Sequence, residues 1–173
     1  MVIRPLEPGD REALERFVGR VPEGDRTFFK EDVDAPEVID AWTRPGPARA
    51  VAIANGEIVG YVAVVPLHGW SDHVGEVRVV VDPSHRERGI GRALARRAVL
   101  EAVALDLDKM VVEVVADQAP TIAMFRALGF DPEALLTDHV RDRAGAVRDL
   151  MILAQSVEAQ WSAMAVAGIA DEL

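Results

Sequence analysis

Glu76-Val77-Arg78-Val79-Val80-Val81-Asp82-Pro83-Ser84-His85-Arg86-Glu87-Arg88-Gly89-Ile90-Gly91-Arg92-Ala93-Leu94 is the stretch that decides the fold. Its valine-rich start reads as a buried strand, which Asp82-Pro83 stops. A short polar loop follows, and Gly89 and Gly91 open a helix predicted to run to about Leu105. Free N–H groups at a helix start attract anions, and glycines let a phosphate come close to the chain. The loop lacks the Gly-Lys-Ser/Thr of a Walker loop and the third glycine of Gly-x-Gly-x-x-Gly. Arg88 precedes the helix and Arg92 lies in its first turn. A cation there opposes the helix dipole by a few tenths to ~1 kcal/mol, and a bound polyanion would reverse that sign. The plain reading of these arginines, with Arg86, Arg96 and Arg97, is a solvated helix face.

Working outward, the elements before this unit begin with a short strand at Val2-Ile3-Arg4 and a helix from Asp10 to about Val18. A polar stretch carrying Phe28, Phe29, Glu31, Asp32 and Asp34 leads to a second helix, Pro36 through Trp42, ended by Pro45-Gly46-Pro47. Ala48–Ala54 and Glu57–Val65 flank Asn55-Gly56, a strong hairpin signal. The loop Pro66–His73 leads into Gly75–Val81. After the long helix, Lys109–Ala116 is a near-continuous apolar run that suits a buried strand. Pro120 opens a helix that closes at Leu128-Gly129. Strands near Ala134–Arg141 and Val147–Ala154 flank the turn Arg143-Ala144-Gly145. The tail, Ser156–Leu173, reads as helical, with Val157, Trp161, Met164 and Ile169 as its apolar contacts. This order predicts an α/β (α+β) domain: a mixed sheet flanked by helices, parallel across the long helix and right-handed in connection.

Composition bounds the chemistry. A chain of 173 residues, 50% hydrophobic and 28% charged, suits one globular domain. No apolar run approaches the ~18–20 residues of a membrane helix, and Met1-Val2-Ile3-Arg4-Pro5 has no secretory pattern, so the expected location is cytoplasmic. A net charge of −10 argues against nucleic acid and for cationic partners. With no cysteine, disulfides, thiolate metal sites and a cysteine nucleophile are excluded. His68, His73, His85 and His139 are scattered, and no metal is expected.

Arg86-x-x-Gly89-x-Gly91 resembles the Arg/Gln-x-x-Gly-x-Gly/Ala signature of the GNAT superfamily of N-acetyltransferases. The setting is also similar: Val79-Val80-Val81-Asp82-Pro83 before it, a long helix and buried strand after it, then Ala127-Leu128-Gly129-Phe130. The element order matches along roughly residues 2–154. The resemblance implies a GNAT-like, mostly antiparallel sheet in residues 1–155. The helical tail, 156–173, lies outside the match; left free it would expose its apolar residues, so it is expected to pack on the domain or on a second subunit, as in a homodimer. The resemblance also implies acetyl-CoA as co-substrate, with the backbone of Val79 and Val81 pairing with the pantetheine arm and the loop around Arg86, Arg88, Gly89, Ile90, Gly91 and Arg92 holding the pyrophosphate. Relatives often carry Asn seven residues before a Tyr, at the positions of Gln118 and Phe125. Gln118 could still reach the cofactor, whereas Phe125 cannot protonate a leaving thiolate. A thiol of pKa about 8.5 leaves readily enough for water to serve. Tyr61, the single tyrosine, reads as a half-buried strand residue.

The implied reaction is direct attack of a primary amine, on a small molecule, a protein lysine or an N-terminus, on the thioester. A lysine-like amine has a pKa near ~10.4 and must first lose a proton. Glu76 stands where relatives often carry a glutamate that acts directly or through water. Glu76 and Arg78 also share a strand face, so a plain ion pair is the alternative. Asp72 and His73 are lesser candidates for the base. Phe28, Phe29, Glu31 and Asp32 combine apolar contact with negative charge, as an amine site would, or else divide into core and solvated residues. His139 and Asp142 read as surface residues. The competing functions are transfer of a longer acyl group and a regulatory domain that binds acyl-CoA without turnover.

Overall fold

The structure, a computed structural model, describes residues 1–44 and 48–166. The predicted Pro45-Gly46-Pro47 stop and the end of the tail, including Ile169, lie outside the described residues. The strands are β1 (Val2–Pro5), β2 (Ala48–Ala54), β3 (Glu57–Pro66), β4 (Val74–Val81), β5 (Lys109–Val115), β6 (Asp131–Arg141) and β7 (Val147–Ser156). The helices are α1 (Arg11–Arg20), α2 (Pro36–Trp42), α3 (Ile90–Ala104), α4 (Ala119–Ala127) and α5 (Val157–Val166). The polar stretch before α2 contains a 3-10 segment, Glu23–Phe29, for which the sequence carries no periodic signal.

The strands form one seven-stranded sheet in the order β1-β2-β3-β4-β5-β7-β6. Every pairing is antiparallel except β4 with β5. The parallel pair flanks α3, as a strand–helix–strand crossover requires. Each face of the sheet carries its own apolar cluster. On one face α3 sets Leu94, Ala95, Ala98, Val99 and Ala102 against Val62, Val64, Val77, Met110 and Val112. Gly60 allows this approach, because a Cβ there would lie 2.7 Å from Leu94 Cδ1. Val157 and Met164 of α5 join the same cluster. On the other face Leu14, Phe17 and Val18 of α1 and Ile39 and Trp42 of α2 pack against Val51, Tyr61, Ala63 and Val80. Full burial of each large aliphatic or aromatic side chain contributes about 1.5–3 kcal/mol.

Two readings change. Tyr61 is fully buried, 2% exposed, rather than half-buried. Its ring stacks on Trp42 at 4.8 Å, and its hydroxyl accepts from Arg49 Nε at 3.0 Å. Burial pushes this phenol well above its ordinary pKa. The second change is at β6, which begins at Asp131 rather than Ala134. Pro132 is tolerated there because β6 is an edge strand that pairs with β7 alone among the described strands.

Candidate active site

β4 and β5 run side by side over Val74–Glu76 and Lys109–Val111 and then part. β5 continues against β7 to Val115, while β4 continues against β3 to Val81. A wedge therefore opens in the sheet beyond Glu76. The N–H of Asp82 donates to Val59 O of β3 at 3.0 Å. Backbone groups alternate sides along a strand, so those of Val80 and Arg78 also face β3. Those of Val79 and Val81 face the wedge, where they meet no strand among the described residues. An extended ligand can pair there as an added strand would.

The wedge is the floor of a cavity of about 660 Å³. Val79, Val81, Arg86, Gly89, Ile90, Gly91 and Arg92 line one end of it. Gln118 and Phe125, together with Thr121 and Met124, form a wall. Phe28, Lys30 and Glu113 stand at the end where the strands join. Of the residues assigned to the loop from sequence, Arg88 is exposed and lies off this lining.

Local geometry explains the loop. Asp82 stops β4 by turning its carboxylate back to accept from Ser84 N at 3.0 Å and Ser84 Oγ at 2.7 Å. Arg20 Nε of α1 donates to the same carboxylate at 2.8 Å. Burial works to raise this carboxyl, but the bonds from Arg20 and Ser84 outweigh it and bring it down to about 2. Gly89 caps α3 with φ +79, a left-handed conformation, and a Cβ there would meet nothing within 4 Å. Glu87 is also left-handed, at φ 62. Alternation of this kind turns successive N–H groups toward one point, a nest for an anion. Ala93 N makes the first return bond, to Gly89 O at 3.0 Å, which leaves the N–H groups of Ile90, Gly91 and Arg92 for a ligand. A Cβ at Gly91 would lie 3.2 Å from Met124 Sδ, so this glycine also lets the start of α3 lie close to α4. Arg86 is tied to Asp25 at 2.6 Å, which joins the loop to the segment before α2.

Glu76 is 8% exposed, on the sheet face opposite α3. Its Oε2 accepts from Arg78 Nη2 at 3.1 Å, and its Oε1 accepts from Lys30 Nζ. Burial alone would raise its pKa. The hydrogen bonds and charges of Arg78 and Lys30 prevail and hold it below the ordinary carboxylate range. The ion pair with Arg78 read from the sequence is present, and Lys30 is a further partner that the sequence did not suggest. Lys30 Nζ also donates to Glu113 Oε2 on β5.

The other acceptor-site candidates divide. Phe28 lines the cavity. Phe29, at 1% exposed, is a core residue between Phe17, Trp42 and Tyr61 and does not face it. Glu31 joins Arg78 at 2.6 Å and accepts from Trp42 Nε1 at 2.7 Å, so it braces the site from outside the lining. Asp32 is exposed and pairs with Arg143 of the β6–β7 turn at 3.3 Å. Asp72 and His73 lie in the exposed loop before β4, off the lining. His139 is exposed on β6, and Asp142 accepts from Ala146 N within its turn. Lys30 and Glu113 are the residues that sequence reasoning missed. The signal for Glu113 was a lone carboxylate in the apolar run of β5; for Lys30 there was none. Among the described residues no group of three or more metal-ligating side chains comes together. No described helix is long and apolar enough to cross a membrane.

A parted parallel pair facing a glycine-opened helix offers backbone groups to an extended ligand with an anionic end, and comparison with known proteins gives the family. Residues 15–130 match the Acetyltransferase (GNAT) family, and the chain belongs to that family. It is an acetyltransferase enzyme by that membership, and its relatives include two named N-acetyltransferases. An L-amino acid N-acetyltransferase of Escherichia coli is 29% identical over 141 residues, 77% of this chain and 84% of the relative. An uncharacterized N-acetyltransferase of the same organism, YjgM, is 26% identical over 75% of this chain and 81% of its own length. Among solved structures, yncA from Salmonella typhimurium, determined with its cofactor acetyl-CoA, superposes with a TM-score of 0.73 at 24% identity, covering 91% of this chain and 94% of that one. The likeness to that structure is one of fold.

Proposed function

We propose that the protein transfers the acetyl group of acetyl-CoA to a primary amine, by direct attack, in the wedge between β4 and β5. One observation carries this reading: the free backbone of Val79 and Val81 leads along the cavity from the anion nest at Gly89–Arg92 to the end where the strands join, where Lys30 lines the wall and the buried carboxylate of Glu76 lies behind it. A long ligand with a polyanionic end and a reactive end fits that line. The pyrophosphate sits on the N–H groups of Ile90, Gly91 and Arg92, with the side chains of Arg86 and Arg92 on the lining adding charge. The pantetheine arm pairs with Val79 and Val81, and Gln118 and Phe125 wall it in. The family membership and the neighbour solved with acetyl-CoA support this choice of co-substrate.

At the joined end the amine nitrogen attacks the thioester carbon, and the carbon–sulfur bond breaks. The ammonium proton passes to Glu76, directly or through water, and the departing thiolate takes a proton from solvent. No enzyme nucleophile is required, and the sequence has no cysteine to supply one. The relative that acts on L-amino acids supports an amine acceptor. A second reading, binding without turnover, has Phe125 in its favour, since this ring at 3% exposed packs edge-on against Phe130 and offers no hydroxyl to the sulfur. Release of CoA thiol from acetyl-CoA with a panel of primary amines separates the two. The transferase releases thiol in step with amine and saturates in acetyl-CoA; a binding domain takes up acetyl-CoA and releases none with any amine. Replacing acetyl-CoA by longer acyl-CoA donors in the same assay fixes the acyl length.

A further inference from the structure

The joined end of the cavity already contains an ammonium. Lys30 Nζ donates at once to Glu76 on β4 and Glu113 on β5, and so bridges the two strands where they begin to part. Both carboxylates stand on the sheet face opposite α3, because Val77, Met110, Val112 and Val114 point to the α3 side. Lys30 and Glu113 lie on the cavity wall, and Glu76 lies behind Lys30. The other charges facing this group are Arg78, shared between Glu76 and Glu31, and Glu31 itself. Taken together, three carboxylates face two cations, so removal of Lys30 would leave two carboxylates converging on an open place.

Lys30 sits outside helix and strand, after the 3-10 segment and before α2. Its stem is a flexible chain of four carbons ending in a compact, strongly hydrated charge. Such a side chain can leave the cleft for solvent without moving the sheet.

We infer that Glu76 and Glu113 form the seat of the acceptor's primary ammonium, and that Lys30 fills this seat until the acceptor displaces it. The inference rests on the acetyl-transfer reading and names the acceptor class for it. The stand-in is a primary ammonium at the end of a straight, unbranched alkyl chain, so the seat takes the same: a lysine-type side chain or the end of a polyamine. A free α-amino acid carries a carboxylate one carbon from its nitrogen, which would face Glu76 and Glu113 and be repelled. Glu113 is thereby a substrate-binding residue and Lys30 an internal competitor. The displaced Lys30 also uncovers Glu76, which then meets the proton it is to accept.

The test compares wild type, Lys30→Gln and Glu113→Gln with n-butylamine, an N-acetylated lysine amide and free L-leucine, at saturating acetyl-CoA. Lys30→Gln is expected to lower the KM for both alkylamines roughly tenfold, and Glu113→Gln to raise it roughly tenfold, the scale of one charge-assisted hydrogen bond. Calorimetric affinity for acetyl-CoA is expected to stay within twofold of wild type in both, about 0.4 kcal/mol. Leucine is expected to be the poorest acceptor of the three. A Lys30→Gln protein whose alkylamine KM stays or rises overturns the inference, as does a Glu113→Gln protein with unchanged KM or a preference for leucine. Lys30→Met repeats the first arm, so that a fall in thermal midpoint in either variant without a fall in KM reads as a purely structural lysine and also overturns it. These failures leave acetyl transfer standing, provided the wild type turns over any amine. A wild type that does not bind acetyl-CoA overturns both.

Discussion

The two ends of the cleft are made by different means. At the α3 end, neighbouring residues from Val79 to Arg92 present backbone: strand groups with no partner strand, a left-handed glycine and the N–H groups of a helix start. At the other end, side chains from residues 30, 76 and 113, distant in sequence, meet in a charge network across parted strands. Backbone recognition is preformed and costs little to organise, so it suits holding a ligand common to many relatives. A side-chain network can be rebuilt by single substitutions, so it suits choice of acceptor and movement of a proton. On this account the first end binds and the second reacts and selects.

The largest expected effect breaks the first end alone. Gly89→Glu with Gly91→Glu forces a β-carbon onto a left-handed residue, presses Met124 and places negative charge in the anion nest. Calorimetry is expected to show acetyl-CoA binding lost, a fall of at least roughly a hundredfold, in a protein whose circular dichroism is that of the wild type. Unchanged affinity in the folded double variant would remove the loop from the ligand site.

A smaller effect sharpens the comparison by testing the turn that shapes the first end. Asp82→Asn keeps the side chain's shape but loses its charge toward Arg20, and is expected to cost about 1–3 kcal/mol in denaturant unfolding. The same carboxylate sets a pH window. Its folded pKa of about 2 lies below the unfolded value of 3.8, so its stabilisation is complete above pH 4 and is lost as pH falls from about 4 to about 2. The difference in stability between wild type and Asp82→Asn should therefore shrink across that window. A difference that is constant from pH 6 to pH 2 would mean that the carboxylate's charge does not hold this turn.

The same contrast explains what could be read from the sequence. Elements built from local signals were legible: α2 and β2 lie where proline and strand periodicity put them, and Gly89 announced the anion nest. The wedge was legible only through resemblance, since a gap between strands has no local periodicity. Phe29 stayed open between pocket and core because an apolar residue next to acids suits either, and only the packing of α1 and α2 decides for the core. Glu113 was hidden in a run whose apolar character correctly identified an interior strand. Lys30 was invisible because its role depends on two strands that lie far along the chain. The close packing of Gly91 against Met124 of α4 had no local signal and adds to the phosphate approach expected at that glycine.

The division of labour is tested most directly by the pH–rate profile of Glu76→Gln beside wild type, with n-butylamine as acceptor and acetyl-CoA saturating. Glu76 has a pKa below the ordinary range, so it is already a carboxylate at neutral pH and can accept the acceptor's proton there, and the wild-type rate is expected to rise less steeply with pH than that of a variant that depends on solvent to deprotonate the amine. The account predicts that Glu76→Gln loses roughly 10²–10⁴-fold in kcat at pH 7, regains part of it as pH rises toward 9.5, and binds acetyl-CoA as wild type does. A variant within a few-fold of wild type at pH 7, with chemistry limiting the rate in both, would contradict it and return Glu76 to the role of a buried ion-pair partner of Arg78.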